Sequence, residues 1–156
     1  MAKKQKLSPL ARLIQELKSE KIRFQVVGMA AAILQGVPGT TLDTDLWINL
    51  PERQYMTVNN LCLKLGATLL RPTVVMLEDE SLVNFCYHIT GLQDFDRAFD
   101  KSRLLTMDGQ KVRVLPLQLI LKSKLAIQRD KDMVHIQLIR TVLKCQRKLS
   151  PVESWK

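Results

Sequence analysis

Asp43 and Asp45, in the run Leu42-Asp43-Thr44-Asp45-Leu46, are two carboxylates separated by one residue. On a β-strand that spacing projects both from one face, side by side. Like charges held so close repel, and the usual remedy is a divalent cation shared with a substrate phosphate. Other residues could also contribute chemistry. Lys124 follows Leu121 by three residues and Ile120 by four, on the apolar face of a predicted helix. An ammonium there is costly unless it reaches an anion or water. Arg129 and Asp132, three apart, can pair with each other or meet a ligand. His88 lies two residues after Cys86 and four after Asn84, on the strand face expected to look toward Asp43 and Asp45. It reads either as a site residue or as a solvated strand histidine. His135 is far from it, so a hydrolase triad has little support.

The elements that must position these groups can be read in turn. Arg23 to Val27 is short, apolar and β-branched at its end, and stops at Gly28. Met29 to Leu34 favours helix, and Gly36-Val37-Pro38-Gly39 ends it. Leu42 to Asn49 alternates, with Asp43, Asp45, Trp47 and Asn49 on one face. Ser8-Pro9 starts a helix whose stripe is Leu10, Leu13, Ile14 and Leu17. Pro51 opens another, with Tyr55, Val58, Cys62 and Leu65 inward and Gly66 as the stop. Strands are expected over Ala67–Leu70, Thr73–Leu77 and Leu82–Ile89. Gln93 to Phe99 is helical or turn-like, with Asp94, Asp96 and Asp100 on its polar side. Leu104–Thr106 and Lys111–Leu115 form a hairpin about Asp108-Gly109. Pro116 opens a helix to about Gln128, with Leu117, Ile120 and Leu121 buried, and Met133 to about Lys148 makes the last.

The block from Val26 to Ile48 resembles the small nucleotidyltransferases of the polymerase-β-like superfamily, in particular the stand-alone group that includes abortive-infection toxin components. Gly28, Ala31, Gly36, Thr41, Asp43 and Asp45 fall on that family's pattern in register. The likeness continues through Gly91, Val112 to Leu117, Leu119-Ile120 ahead of Lys124, and then Arg129 and Asp132. It implies an α/β (α+β) fold, a mixed and mostly antiparallel sheet flanked by helices.

The resemblance also implies roles. Asp43, Asp45 and Asn84 would hold magnesium or manganese. Asp43, Asp45 and Lys124 would be catalytic. Gly28, Met29, Thr41, Lys124 and Arg129 would meet the nucleoside triphosphate, with the backbone N–H groups of the Gly28 turn and the positive end of the next helix near its phosphates. The departures fall at the site itself. Met29 stands where the family has Gly or Ser, Gln35 where it has His, and Gly39 where it has Arg. Asn84 stands where it has a third carboxylate; an amide oxygen can ligate magnesium but cannot act as a base. One of Asp94, Asp96 or Asp100 could supply the missing acid. Two readings follow: transfer of a nucleoside monophosphate from an NTP to an acceptor hydroxyl on RNA, protein or a small molecule, or an impaired relative acting as a nucleotide- or RNA-binding or regulatory module of toxin–antitoxin type.

The 156 residues suggest one domain, with a core over about 8–148 and basic tails at 1–7 and 149–156. At 46% hydrophobic and 25% charged the chain reads as a globular protein without a membrane span or signal peptide, hence cytoplasmic. Cys62, Cys86 and Cys145 lack the close pairs of a zinc site and read as reduced packing cysteines. A net charge of +9, with Lys3, Lys4 and Lys6 at one end and Lys144, Arg147, Lys148 and Lys156 at the other, favours phosphate-bearing partners, RNA among them, or simply serves solubility. No aromatic-interleaved RNA-binding motif is present. An antitoxin or a second copy of the chain are further expected partners.

Overall fold

The computed structural model describes residues 6–92 and 94–148, so Lys3, Lys4, Lys156 and Gln93 lie outside the described residues. Helix α1 (Pro9–Ser19) starts where expected: the Ser8 hydroxyl accepts from the Ala11 N–H at 3.0 Å and Pro9 takes the first helical position. Its Leu13, Ile14 and Leu17 are wholly buried. Strand β1 (Phe24–Val27) is buried along its whole length, as the middle of a sheet requires. Helix α2 (Gly28–Leu34) follows without a linker, because Gly28 at φ +66° can turn the chain where a side chain could not.

Strand β2 (Asp43–Ile48) begins one residue later than the alternation suggests, leaving Leu42 exposed. Pro51 leads into a single 3₁₀ turn (Glu52–Gln54) before α3 (Tyr55–Lys64), whose Val58 and Cys62 are buried. Strands β3 (Thr68–Arg71) and β4 (Val74–Met76) form a hairpin. Strand β5 (Leu82–Cys86) stops three residues short of Ile89, where its ladder to β2 ends at the Trp47–Cys86 pair. Helix α4 (Phe95–Lys101) is capped by the Asp94 carboxylate on the Arg97 N–H at 2.8 Å. Strands β6 (Arg103–Met107) and β7 (Gln110–Val114) pair as a hairpin, with Asp108 (φ +50°) and Gly109 (φ +76°) both left-handed in the two-residue turn. Helix α5 (Leu117–Ile127) ends on Gln128 in the left-handed region, and a short turn (Asp130–Asp132) leads into α6 (Met133–Lys148). Its Ile136 and Ile139 are buried, while Leu121 of α5 is only half-buried.

The strands form one mixed sheet in the order β3-β4-β5-β2-β1-β7-β6. Pairs β2–β5 and β1–β7 are parallel and the other four are antiparallel. The expected mixed, mostly antiparallel α/β sheet is what the chain builds. Strand β2 sits at its centre, and directly paired residues share a face, so Val27, Asp45 and Asn84 line up across three strands. Trp47, on that face, meets Phe95 edge-on at 5.3 Å, and the Gln25 amide donates to the Phe95 carbonyl, which brings α4 over one end of it. Among the described residues no helix is long and apolar enough to cross a membrane.

Candidate active site

Val27 and Gly28 at the end of β1, Asp45 of β2, Asn84 of β5, and Lys124 and Arg129 from the end of α5 surround a cleft of about 260 Å³. His88 and Cys86 line its far wall, with Ile120 and Ile127 apolar beside the lysine. Four short segments, far apart in sequence, are thus brought together by the central register of the sheet and by α5 folding back over it.

Asp45 is half-buried and is the one acid that lines this cleft. Burial pushes its carboxyl up; a hydrogen bond donated by the Asn84 amide pulls it down, Asp43 pushes it up again, and Lys124 and Arg129 pull it down. The net is a carboxyl above its ordinary value. A Cβ on Gly28 would lie 2.5 Å from Asp45 Oδ2, so only glycine lets the turn approach this carboxylate. Asp43 is exposed and opens into an adjoining cleft of about 450 Å³, which it shares with Asn84, Arg71 and Lys131. Asn84 therefore stands between the two spaces.

Lys124 is buried on the apolar face as its spacing requires, and its ammonium donates to Asp132 Oδ1 at 3.2 Å. Arg129 Nε donates to the other oxygen, Oδ2, at 2.8 Å. The Arg129–Asp132 pair is as read from the sequence. The third member, Lys124, was not, because the bend at Gln128 is what folds Asp132 back toward it. Burial pushes the Asp132 carboxyl up, but the Arg129 hydrogen bond and the Lys124 charge outweigh it and hold it below the ordinary value.

Thr41 and Met29 do not line this cleft. The Thr41 hydroxyl donates to the Asp43 carbonyl at 3.0 Å and accepts from the Asp43 N–H at 3.3 Å, shaping the loop into β2. Met29 packs half-buried against the core. Gln35, buried, donates to the carbonyls of Ala31 and Leu115 and ties α2 to the end of β7. Asp94 caps α4 and Asp96 pairs with Arg23 at 2.6 Å, so neither replaces Asn84 as an acid, and neither they nor Asp100 line the cleft. Burial, then the Asp45 charge, pushes the Cys86 thiol up to about 12, so it is no nucleophile at neutral pH. Arg71 and Lys131 gave no signal in the sequence; only the fold sets them beside Asp43.

The chain matches no protein-family model and no curated protein sequence. Its fold is nonetheless shared by solved structures. The solution structure of the antibiotic-resistance factor ANT(2'')-Ia aligns over 86% of this chain and 82% of that one, with a TM-score of 0.56 and 14% identity. The lincomycin-bound crystal structure of the lincosamide antibiotic adenylyltransferase LnuA aligns over 88% and 99%, with a TM-score of 0.56 and 10% identity. At such identities the likeness is one of fold. The seven-stranded sheet and its helices are a nucleotidyltransferase fold.

Proposed function

We propose that this protein moves a nucleoside monophosphate from an NTP to an acceptor hydroxyl. The observation that carries the reading is the approach of the Gly28 turn to Asp45, possible only without a side chain, at a cleft rimmed by Lys124 and Arg129. A turn bare of side chains beside a carboxylate, with cations opposite, suits a triphosphate better than an apolar ligand. That two proteins of the same fold are an adenylyltransferase and an antibiotic-resistance factor supports the class of reaction and adds a small antibiotic-like molecule to the acceptors worth trying.

The donor set fits a hard divalent cation. Two carboxylates and an amide oxygen stand at adjoining positions of β2 and β5, and the raised carboxyl of Asp45 marks a charge short of compensation. Magnesium or manganese, when bound by Asp43, Asp45 and Asn84, supplies the charge that holds a triphosphate against two acids. Lys124 and Arg129 offset phosphate charge at the opposite wall, and Asp132 fixes where they point. Asn84 orients Asp45 by its hydrogen bond but takes no proton, so the acceptor hydroxyl relies on solvent or on Asp45 itself.

The test is transfer of α-labelled NTPs, with magnesium or manganese, onto RNA, cell extract and lincomycin. Label transfer falls at least roughly a hundredfold in Asp43→Ala and in Asp45→Ala, the scale of losing a charge-stabilising group. Variants that transfer label as well as wild type would refute the two-carboxylate mechanism. The amide at Asn84 favours a second reading, a module that binds NTP or RNA without turnover. Asn84→Asp separates the two: a large gain in turnover means that the native chemistry is crippled, and unchanged transfer means that position 84 holds no third ligand.

A further inference from the structure

At the other end of β1, a second cleft of about 580 Å³ opens on the surface. Its rim carries Lys18, Lys21, Arg23, Lys111 and Arg113, and none of its lining residues is an acid. Its apolar surface comes from Ile22, Phe99 and Leu104, with Phe24 and Val112, themselves buried, behind it. Arg23 has Asp96 as a partner at 2.6 Å. Lys18, Lys21, Lys111 and Arg113 have no carboxylate partner among the described residues.

The cations are placed by the fold rather than scattered. Lys21 (φ +58°) donates its N–H to the Lys18 carbonyl at 3.0 Å, so the end of α1 turns both lysines into one tight bend. Lys111 and Arg113 alternate on the same face of β7, which lies beside β1. The Arg23 and Arg113 guanidiniums lie 5.2 and 5.5 Å from the centre of the Phe99 ring. The Arg113 guanidinium, held against the ring, keeps its outer edge free for phosphate and has lost rotamer freedom in advance, whereas Arg23 spends Nη2 on Asp96.

We infer that this cleft binds a single-stranded polynucleotide, with bases on Leu104 and the guanidiniums that Phe99, itself stacked on Phe95, holds in place, and phosphates on the lysines. Planar apolar bases alternating with phosphates match an apolar floor inside a cationic rim, which is how sequence-tolerant single-strand sites are built. An acidic peptide would use the rim and leave the floor in water. The volume lies within the range of about 300–1,000 Å³ for ligand pockets. Leu104, 54% exposed on this floor, is the surface a base would cover.

The test is fluorescence anisotropy with a labelled single-stranded RNA, its DNA counterpart and the matching duplex, each over a range of salt. Either single strand binds more tightly than the duplex, and the RNA-to-DNA ratio tells which source the cleft prefers. Affinity falls with salt at a slope of roughly −0.7 per phosphate neutralised, and Lys111→Gln lowers that slope by about one such step. Arg113→Ala weakens binding roughly tenfold, as losing one stacked base does. Leu104→Glu, at an exposed position that leaves the core untouched, abolishes it. Lys144→Gln/Arg147→Gln, basic but on α6 outside the cleft, changes little. Tighter binding of duplex, absence of binding, or loss confined to the α6 variant would each overturn the assignment. Asp45→Asn binds the strand like wild type, so failure of nucleotidyl transfer and failure of this site are read apart.

Discussion

At its C-terminal end β1 delivers Val27 and Gly28 to a cleft whose cations are matched by the chain itself: Lys124 and Arg129 share Asp132 at 3.2 and 2.8 Å, while Asp45 has only the Asn84 amide as a direct partner and stays raised. At its N-terminal end it delivers Arg23 and Phe24 to a cleft where four of five cations meet no carboxylate among the described residues. The difference follows from burial. Lys124 and Asp132 are almost out of water and must be paired to exist there as ions. Lys18, Lys21, Lys111 and Arg113 are exposed, so water serves them until a ligand comes. Substitutions at the first end should therefore move stability together with function, and those at the second should move binding alone.

The largest effect is expected at Asp132, 3% exposed. Asp132→Ala strands Lys124 in an apolar wall and should cost roughly 3–5 kcal/mol in urea unfolding, the range for breaking a buried pair. Lys124→Met in that background should recover most of it, because the stranded ammonium is gone. A loss below about 1 kcal/mol would break the comparison, since it would place Asp132 with exposed pairs. The pH dependence has a definite sign. The Asp132 carboxyl is held below its ordinary value, so its stabilisation is complete above the unfolded-state value and is lost as pH falls through the folded-state one. The gap between wild type and Asp132→Ala should close in acid.

Gly28→Ala comes next. It places a Cβ at φ +66° and 2.5 Å from Asp45 Oδ2. The left-handed conformation alone should cost roughly 1–2 kcal/mol in thermal unfolding, before any displacement of the carboxylate. Adding Asp45→Ala relieves the collision and leaves the backbone cost, so the double variant should lose less than the sum of the two single ones. Strict additivity would mean that the turn and the acid do not meet.

Asp45→Asn works in the opposite direction. Burial first, and Asp43 as well, hold the Asp45 carboxyl above its ordinary value despite Asn84, Lys124 and Arg129. Ionised Asp45 therefore costs stability at neutral pH, and that cost disappears as pH falls through the raised folded-state value and below the unfolded one. Asp45→Asn should be more stable than wild type at neutral pH, with the gap shrinking in acid, while label transfer is lost. Equal stability at every pH would mean that Asp45 is not strained by its site.

Much of the first end was legible, because its signals are local. The alternation about Asp43 and Asp45 set β2, the glycine after Val27 set the turn, and the spacing of Ile120, Leu121 and Lys124 put a lysine on a buried face. The strand face gave Asn84 as a lining residue beside Asp45; His88 also lines the cleft, but from beyond the end of β5. The Lys124–Asp132 contact was not legible, since it depends on Gln128 taking the left-handed region, which its residue type does not announce. Family register also proposes Thr41 and Met29 as ligands; neither lines the cleft, Thr41 lying in the loop before β2 and Met29 in α2 against the core. The second end was invisible in the sequence. Its cations come from the close of α1 and from β7, some ninety residues apart, and they converge only because β7 pairs beside β1. Low aromatic content argues against a base-stacking surface, and what the fold adds is one phenylalanine holding two arginines beside the exposed Leu104.

The smallest effect expected is also the one that sharpens the comparison most. Asp96 lies at 2.6 Å from Arg23, and both are well exposed. Exposed pairs are worth roughly 0–1 kcal/mol, so Asp96→Asn should leave the melting temperature nearly unchanged. It releases the one rim cation that the chain had matched and should strengthen single-strand binding by about two- to fivefold at low salt. The gain should fade as salt rises, because screening removes the contribution of an exposed charge first. A gain that persists at high salt would point to Asp96 blocking the floor by its bulk. A stability loss as large as that of Asp132→Ala would show that the rim is built like the buried site after all, and the division between the two ends of β1 would fall.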